Sequence, residues 1–168
     1  MTPPSLEAVL AKLAARGIDV PPGRVGLDTY GDTPDLSREL VALIRDGRKR
    51  AGTSLLWAHD VEGEPLPEVG DVDVVVDHEG EPVVVTRVTS VFVVPFGEVD
   101  AAYAALEGEG DGSLAHWRAA HWHFFGRECA RIGRVPTEDM PVVCCAFELL
   151  AVVPVPEADG GTASLAAG

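Results

Sequence analysis

Two short stretches of the sequence gather side chains that could do chemistry. "GRKRAGTS", from Gly47 to Ser54, sets Lys49 close to the hydroxyls of Thr53 and Ser54. A lysine so placed can lower a hydroxyl's pKa, act as a base once desolvated, or hold an anionic group. "EGEGDGS" alternates Glu107, Glu109 and Asp111 with glycines, and a carboxylate held near Lys49 can serve as a general acid and base. Each stretch also has a plainer reading. Cations gather at helix ends, where they complement the dipole, and an acidic, glycine-rich loop is commonly just solvated. The acids lack the twelve-residue pattern and closing glutamate of a calcium loop.

The histidines of "AHWRAAHWHFF" are less promising as ligands. His116, His121 and His123 are five and two residues apart, so they do not share a helical face as a pair four apart would. No cysteine or acid stands at ligand spacing, and neither a metal nor a cofactor is expected. His121 with Trp117 reads either as a half-buried core pair or as a pocket wall that stacks a ring. Trp57, taken as a later position of the strand that carries Thr53, has the same two readings. No GxGxxG, Walker loop or GxSxG elbow is present, so phosphate-cradling nucleotide hydrolysis is unsupported.

These residues need elements to position them. "SLEAVLAKLAARGI" has helical spacing at Leu6, Val9, Leu10 and Leu13, a Ser5 cap and a Gly17 stop. "PPGRVGLDTYGD" reads as a loop. A second helix is expected from Thr33 as cap and Pro34 as first helical residue, with Leu36, Leu40, Leu43 and Ile44 on its apolar face. Arg45, Arg48 and Lys49 crowd its end. Strand patterns follow in "TSLLWAH", in the hairpin pair "DVDVVVDHEG" and "EPVVVTRVTSVFVVPF", and in "PVVCCAFELLAVVPV". Between the last two lie helical patterns in "GEVDAAYAALEGEG" and "SLAHWRAAHWHFFGRECARIG". The valine-rich, partly alternating strands suggest a small closed barrel, hence an α+β domain built around it.

Composition limits the rest. The 168 residues suit one domain with a single sizeable core. The formal charge of −14, from 13 Lys and Arg against 27 Asp and Glu, repels phosphate backbones and disfavours duplex DNA as a partner. Cys129, Cys144 and Cys145 show no pairing pattern and read as reduced thiols. The absence of a signal-peptide pattern and of a membrane-length apolar run leads to the expectation of a soluble, cytoplasmic protein with no membrane partner. The tail 155–168, poor in large side chains, is expected to be disordered.

Beyond these patterns, "LVALIRDGRKRAGTSLL" resembles the Gly-x-Lys-x-Ala-Thr signature that opens ASCH domains of the PUA-like superfamily. "GEPLPEVGD", "RVTSVFVVPFGEVD", "AALEGEGDGSLAHWRAAHWHFF" and "PVVCCAFELL" resemble further elements of its YhfF-like branch. The resemblance spans about Gly26 to Val153. It implies a PUA-like β-barrel flanked by helices over 23–154, preceded by a helical extension over 1–22. It also implies a cleft between barrel and helices for a nucleobase, nucleoside or RNA-derived ligand, such as a single-stranded RNA end. Some small bacterial members resemble amidohydrolases acting on N4-acetylcytidine, and one branch has metal-dependent ribonuclease character. Carried across, the signature lysine is Lys49 and the acid/base glutamate is Glu107, in an Ala-x-x-Glu pattern from Ala104. The nucleophile is Thr53 or Ser54. Read without gaps, Gly52 stands where the signature has threonine and Thr53 comes one place later. A strand's alternation would then turn Thr53 to the opposite face unless a bulge at Gly52 restores it. The expected ligand-binding residues are Trp57, Glu109, Trp117, Arg118 and His121. Lys49 would meet the ligand's anionic or carbonyl group, Glu107 its exocyclic amine, and a tryptophan its ring.

Overall fold

The computed structural model describes residues 2–154; the 155–168 tail lies outside the described residues. In chain order the elements are α1 (Leu6–Ala15), β1 (Val25–Asp28), α2 (Pro34–Arg45), β2 (Ala51–Leu55), α3 (Leu56–Glu62), β3 (Val72–Val76) and β4 (Pro82–Pro95). A 3-10 turn (Phe96–Glu98), α4 (Ala101–Glu107), α5 (Leu114–Arg131) and β5 (Pro141–Val152) follow. Side-chain caps start four helices: Ser5 accepts from Ala8, Thr33 from Leu36, Asp100 from Tyr103 and Ser113 from His116. None of the helices among the described residues is long and apolar enough to cross a membrane.

The α+β architecture is as expected, but the barrel is not closed. One five-stranded sheet runs β1-β3-β4-β5-β2, parallel only between β1 and β3, and leaves β1 and β2 at its edges. Register shifts at Val85/Thr86 and Val88/Ser90, where β4 meets β5, add twist and curl the sheet. The curl brings Tyr30, just after β1, against Gly52 of β2: a carbon added at Gly52 would lie 3.6 Å from the Tyr30 ring. A side chain therefore bridges the seam that backbone pairing leaves open.

Two local expectations are corrected. Val25–Asp28 is a strand, not loop; its four residues and adjoining Pro and Gly are too few and too interrupted to show a period. "TSLLWAH" is a strand only to Leu55 and then turns into the seven-residue α3, which ends at Gly63 in the left-handed region (φ +66°). Trp57 is thus helical. Two turns of helix are too short for an apolar periodicity to stand out from a strand run.

The apolar interior lies on both sides of the sheet. Val9 and Leu13 of α1 pack on Val72, Val74, Val76, Val85 and Val153. On the side that carries the site, Trp117, Phe125 and Cys129 of α5 pack with Phe96, Tyr103, Met140, Val142 and Cys144. Trp117, His121, Phe125 and Cys129 recur every four residues, so one stripe of α5 faces the sheet.

Candidate functional site

Lys49 turns inward because of how α2 ends. Gly47 takes φ +76°, and the N–H groups of Arg48 and Lys49 donate to the Leu43 carbonyl. The chain then runs toward β2, with Arg50 N–H donating to Leu106 O at 2.9 Å and Arg50 O accepting from Phe147 N–H at 2.9 Å. Side chains alternate along this run, so Arg48 and Arg50 are exposed while Lys49 is 2% exposed. The plainer reading of Lys49 as a solvated helix-end cation is corrected.

The carboxylates arrive from α4. Its last residue is Glu107, and Gly108 follows at φ +66°, with its backbone pressed against Arg48. A side-chain carbon at Gly108 would lie 2.2 Å from the Arg48 carbonyl oxygen, so only glycine fits there. This docking places Glu107 and Glu109 around the Lys49 ammonium. The loop that could have been merely solvated is the second half of the site.

The resulting network is dense. Lys49 Nζ donates to Ala51 O at 2.8 Å and lies 3.4 Å from Glu107 Oε1 and 3.1 Å from Glu109 Oε1. Thr53 Oγ1 donates to Glu107 Oε2 at 2.7 Å and sits 3.1 Å from the Tyr103 hydroxyl, which donates to Gly52 O at 2.7 Å. Trp117 Nε1 also donates to Glu107 Oε2. His121 meets Glu107 Oε1 through Nε2 at 3.0 Å and the Trp117 carbonyl through Nδ1 at 2.9 Å.

Both ring nitrogens of His121 thus face acceptors, which requires a proton on each, the imidazolium form. Burial alone would lower the His121 pKa, but the hydrogen bond and charge of Glu107 outweigh it and raise it. Burial likewise pushes Glu107 up, yet the His121 hydrogen bond and the Lys49 and His121 charges hold it down at about 2. Two cations, Lys49 and His121, therefore face two carboxylates, Glu107 and Glu109.

The structure brings together Lys49, Thr53, Glu107, Glu109, Trp117 and His121, and leaves three expected residues outside. β2 pairs with β5 in unbroken register, Gly52 with Cys145, Thr53 with Cys144 and Ser54 with Val143. No bulge is needed: Thr53 faces Glu107 and Ser54 the other side, where its Oγ lies 2.8 Å from His59 Nε2. Arg118 is exposed on α5 and donates to Gly97 O. Trp57 lies under the Arg134 guanidinium, 4.4 Å from its ring centroid, and packs on the core. Trp117 belongs to the site only through its N–H. At 2% exposed and stacked on both His121 and Phe96, it cannot stack a ligand ring.

Sequence reasoning missed two tyrosines. Tyr103 stands four residues before Glu107 on one helix, a spacing that shares a face and could have been noticed. Tyr30, whose ring centroid is 5.5 Å from Lys49 Nζ, carries no such signal because it lies across the sheet seam.

Glu107, Glu109 and His121 each offer a ligand atom, all within 4.8 Å of one another, as a small cation site would. The Lys49 ammonium already lies against both carboxylates, and His121 has no free nitrogen. The set does not fit a divalent ion. A concavity of about 190 Å³ opens beside Lys49 and is lined also by Ile44, Gly47, Arg50, Glu148 and Leu149; Thr53 and Glu107 do not line it.

A family model described as the ASCH domain matches residues 27–151. Among solved structures, the chain is similar to an ASCH domain from Lactobacillus crispatus JV V101, at 36% identity and TM-score 0.72, over 75% of this chain and 79% of that one. It is similar as well to a protein from Enterococcus faecalis V583, at 29% identity and TM-score 0.72, over 86% of each chain. No curated protein matches the chain.

Proposed function

The chain belongs to the ASCH domain family, and from that premise we propose that it binds a nucleoside-like ligand, free or at an RNA end, at the Lys49–Glu107 network. The observation that carries this reading is the burial of a lysine and a glutamate together, with Thr53 at their edge. A buried ion pair is poor value for stability compared with apolar packing, so its presence beside a polar edge suits recognition. Glu107, kept anionic and already accepting from Lys49, His121, Trp117 and Thr53, takes a donor such as an exocyclic amine in place of Thr53, the partner at its edge. Lys49 donates to an oxygen of the ligand. With both faces of Trp117 covered, the aromatic groups beside the network are Tyr30, whose ring centroid is 5.5 Å from Lys49 Nζ, and Tyr103, whose hydroxyl is 3.1 Å from Thr53 Oγ1.

A second reading is favoured by the 2.7 Å bond from Thr53 to Glu107: amide hydrolysis on an N4-acylated cytidine. Thr53 Oγ would attack the acyl carbonyl carbon as its proton passes to Glu107. The C–N bond then breaks, and the nitrogen takes that proton. Water releases the acid from the acyl-threonine ester and restores Thr53. A base held at about 2 is weak for this task near neutral pH, where an effective base titrates close to 7, so binding ranks first.

Calorimetric titration and a turnover assay with cytidine and N4-acetylcytidine separate the two. Binding without turnover, lost in Lys49→Ala, is the expected result. Turnover abolished by Thr53→Val while binding persists would promote the hydrolase, and no binding of either nucleoside would remove both readings.

A further inference from the structure

The Lys49 ammonium has three partners in this structure: it donates to the Ala51 carbonyl and to Glu107, and it is ion-paired with Glu109 at 3.1 Å. With the Lys49 side chain 1% exposed, a ligand reaches the ammonium by replacing one of them. Ala51 is fixed in the β2–β5 ladder, and Glu107 is 2% exposed and held by Thr53, Trp117 and His121 as well. Glu109 differs on every count. Its side chain is 18% exposed, its carboxylate makes the Lys49 contact alone, and it stands between Gly108 (φ +66°) and Gly110 (φ +60°). It is the one partner of Lys49 placed to leave.

Charge says what can take its place. With Glu109 withdrawn, Lys49 and the doubly hydrogen-bonded His121 are left facing Glu107 alone, an excess of one positive charge in a poorly hydrated setting. A neutral carbonyl would leave that excess standing, whereas an oxyanion restores the balance. We propose that the Glu109 carboxylate occupies the oxyanion subsite of this protein, and that the ligand seats a phosphate or carboxylate group on Lys49 by displacing it. The inference rests on the nucleoside reading of the same site and narrows it to a phosphate-bearing nucleoside. Glu109 tunes affinity by competing with a charged group for Lys49, a competition that a ligand without one does not enter.

The test uses the full chain with Glu109→Gln, which keeps the side-chain shape, and Glu109→Ala, each checked for folding by circular dichroism. Calorimetric titration compares cytidine 5′-monophosphate, cytidine and inorganic phosphate. The monophosphate should bind both variants more tightly than the unaltered protein, by about fivefold to tenfold, as expected for removing a partly exposed charged competitor. Cytidine should gain nothing. Equal gains for both ligands would refute the oxyanion assignment. Monophosphate affinity that is unchanged or lower in both variants would refute the displacement itself and leave the nucleoside reading intact.

A second readout needs no nucleoside. The sequence contains two lysines, Lys12 and Lys49, so acetic anhydride labelling mapped by mass spectrometry reports Lys49 against Lys12 as an internal reference. Glu109→Ala should raise the Lys49 to Lys12 ratio several-fold, and inorganic phosphate should reverse the rise. An unchanged ratio, or a rise that phosphate does not reverse, overturns the proposal. If no nucleoside or nucleotide binds while labelling behaves as described, the nucleoside reading falls and the oxyanion subsite stands.

Discussion

Each of the two lysines pairs with glutamate, and the Lys12–Glu81 and Lys49–Glu107 pairs could hardly be less alike. Lys12 of α1 meets Glu81 in the turn before β4, with side chains 42% and 35% exposed. Lys49 meets Glu107 with side chains 1% and 2% exposed. The first is partly open to water, and screening leaves such a pair worth at most about 1 kcal/mol. The second has lost its water, so each charge depends on the other and on every hydrogen bond around it. The same two residue types are ornament at one place and obligation at the other; burial decides which.

Breaking the buried pair should have the largest effect. Lys49→Ala leaves Glu107 with less compensation and is expected to cost about 3–5 kcal/mol in urea unfolding. If it costs no more than Lys12→Ala, the contrast between the pairs is wrong. Acid should reach the same pair from the other side. Glu107 is held at about 2 against the usual 4.5, so its contribution is complete above 4.5 and disappears as pH falls toward 2, about 3 kcal/mol in all. His121, raised above 6.5, has the opposite sign: its contribution is complete below 6.5 and is lost as pH rises through the raised value. Stability profiles of the unaltered protein and His121→Gln should therefore diverge most on the acid side of 6.5 and converge above the raised value. Parallel profiles would deny His121 its charge.

Smaller effects sharpen the comparison. Gly108→Ala should cost at least about 2 kcal/mol, since it pairs a left-handed backbone with a clash on Arg48 O; thermal denaturation reads it directly. Lys12→Ala should stay within about 1 kcal/mol, and less in high salt. Gly52→Ala should be close to neutral, within about 0.5 kcal/mol, because the added carbon meets Tyr30 at an ordinary 3.6 Å. A large loss there would mean that the Tyr30 seam is tighter than its geometry indicates.

The contrast also explains what could be read in the sequence. Caps, glycine stops and the β3–β4 hairpin are local signals, and Thr33, Pro34 and Ser113 behave as their types predict. The ASCH resemblance paired Lys49 with Glu107 across 58 positions, which no local pattern could do. It carried residue types but not their directions. Hence Thr53 and Ser54 stayed undecided until the register with β5 settled which one turns toward Glu107. A tryptophan near a site reads equally as core or as stacking wall, and nothing local reveals that Phe96 and His121 already cover Trp117. The surroundings of Trp57 and Arg118 are illegible for a like reason: α3 is too short to declare itself, and the faces of α5 are sorted by contacts from distant strands.

The alternation at Arg48, Lys49 and Arg50 has a consequence for sequence change. Three cations in a row look interchangeable in composition, yet their parity assigns one to the carboxylates and two to water. Surface connections usually accept a residue more or less at little cost. Here a single insertion or deletion between Gly47 and Ala51 would exchange inside for outside, offer a guanidinium to a nest shaped for an ammonium, and put Lys49 in solvent. For this segment the reading frame of the strand, more than the number of positive charges, is what variation has to preserve.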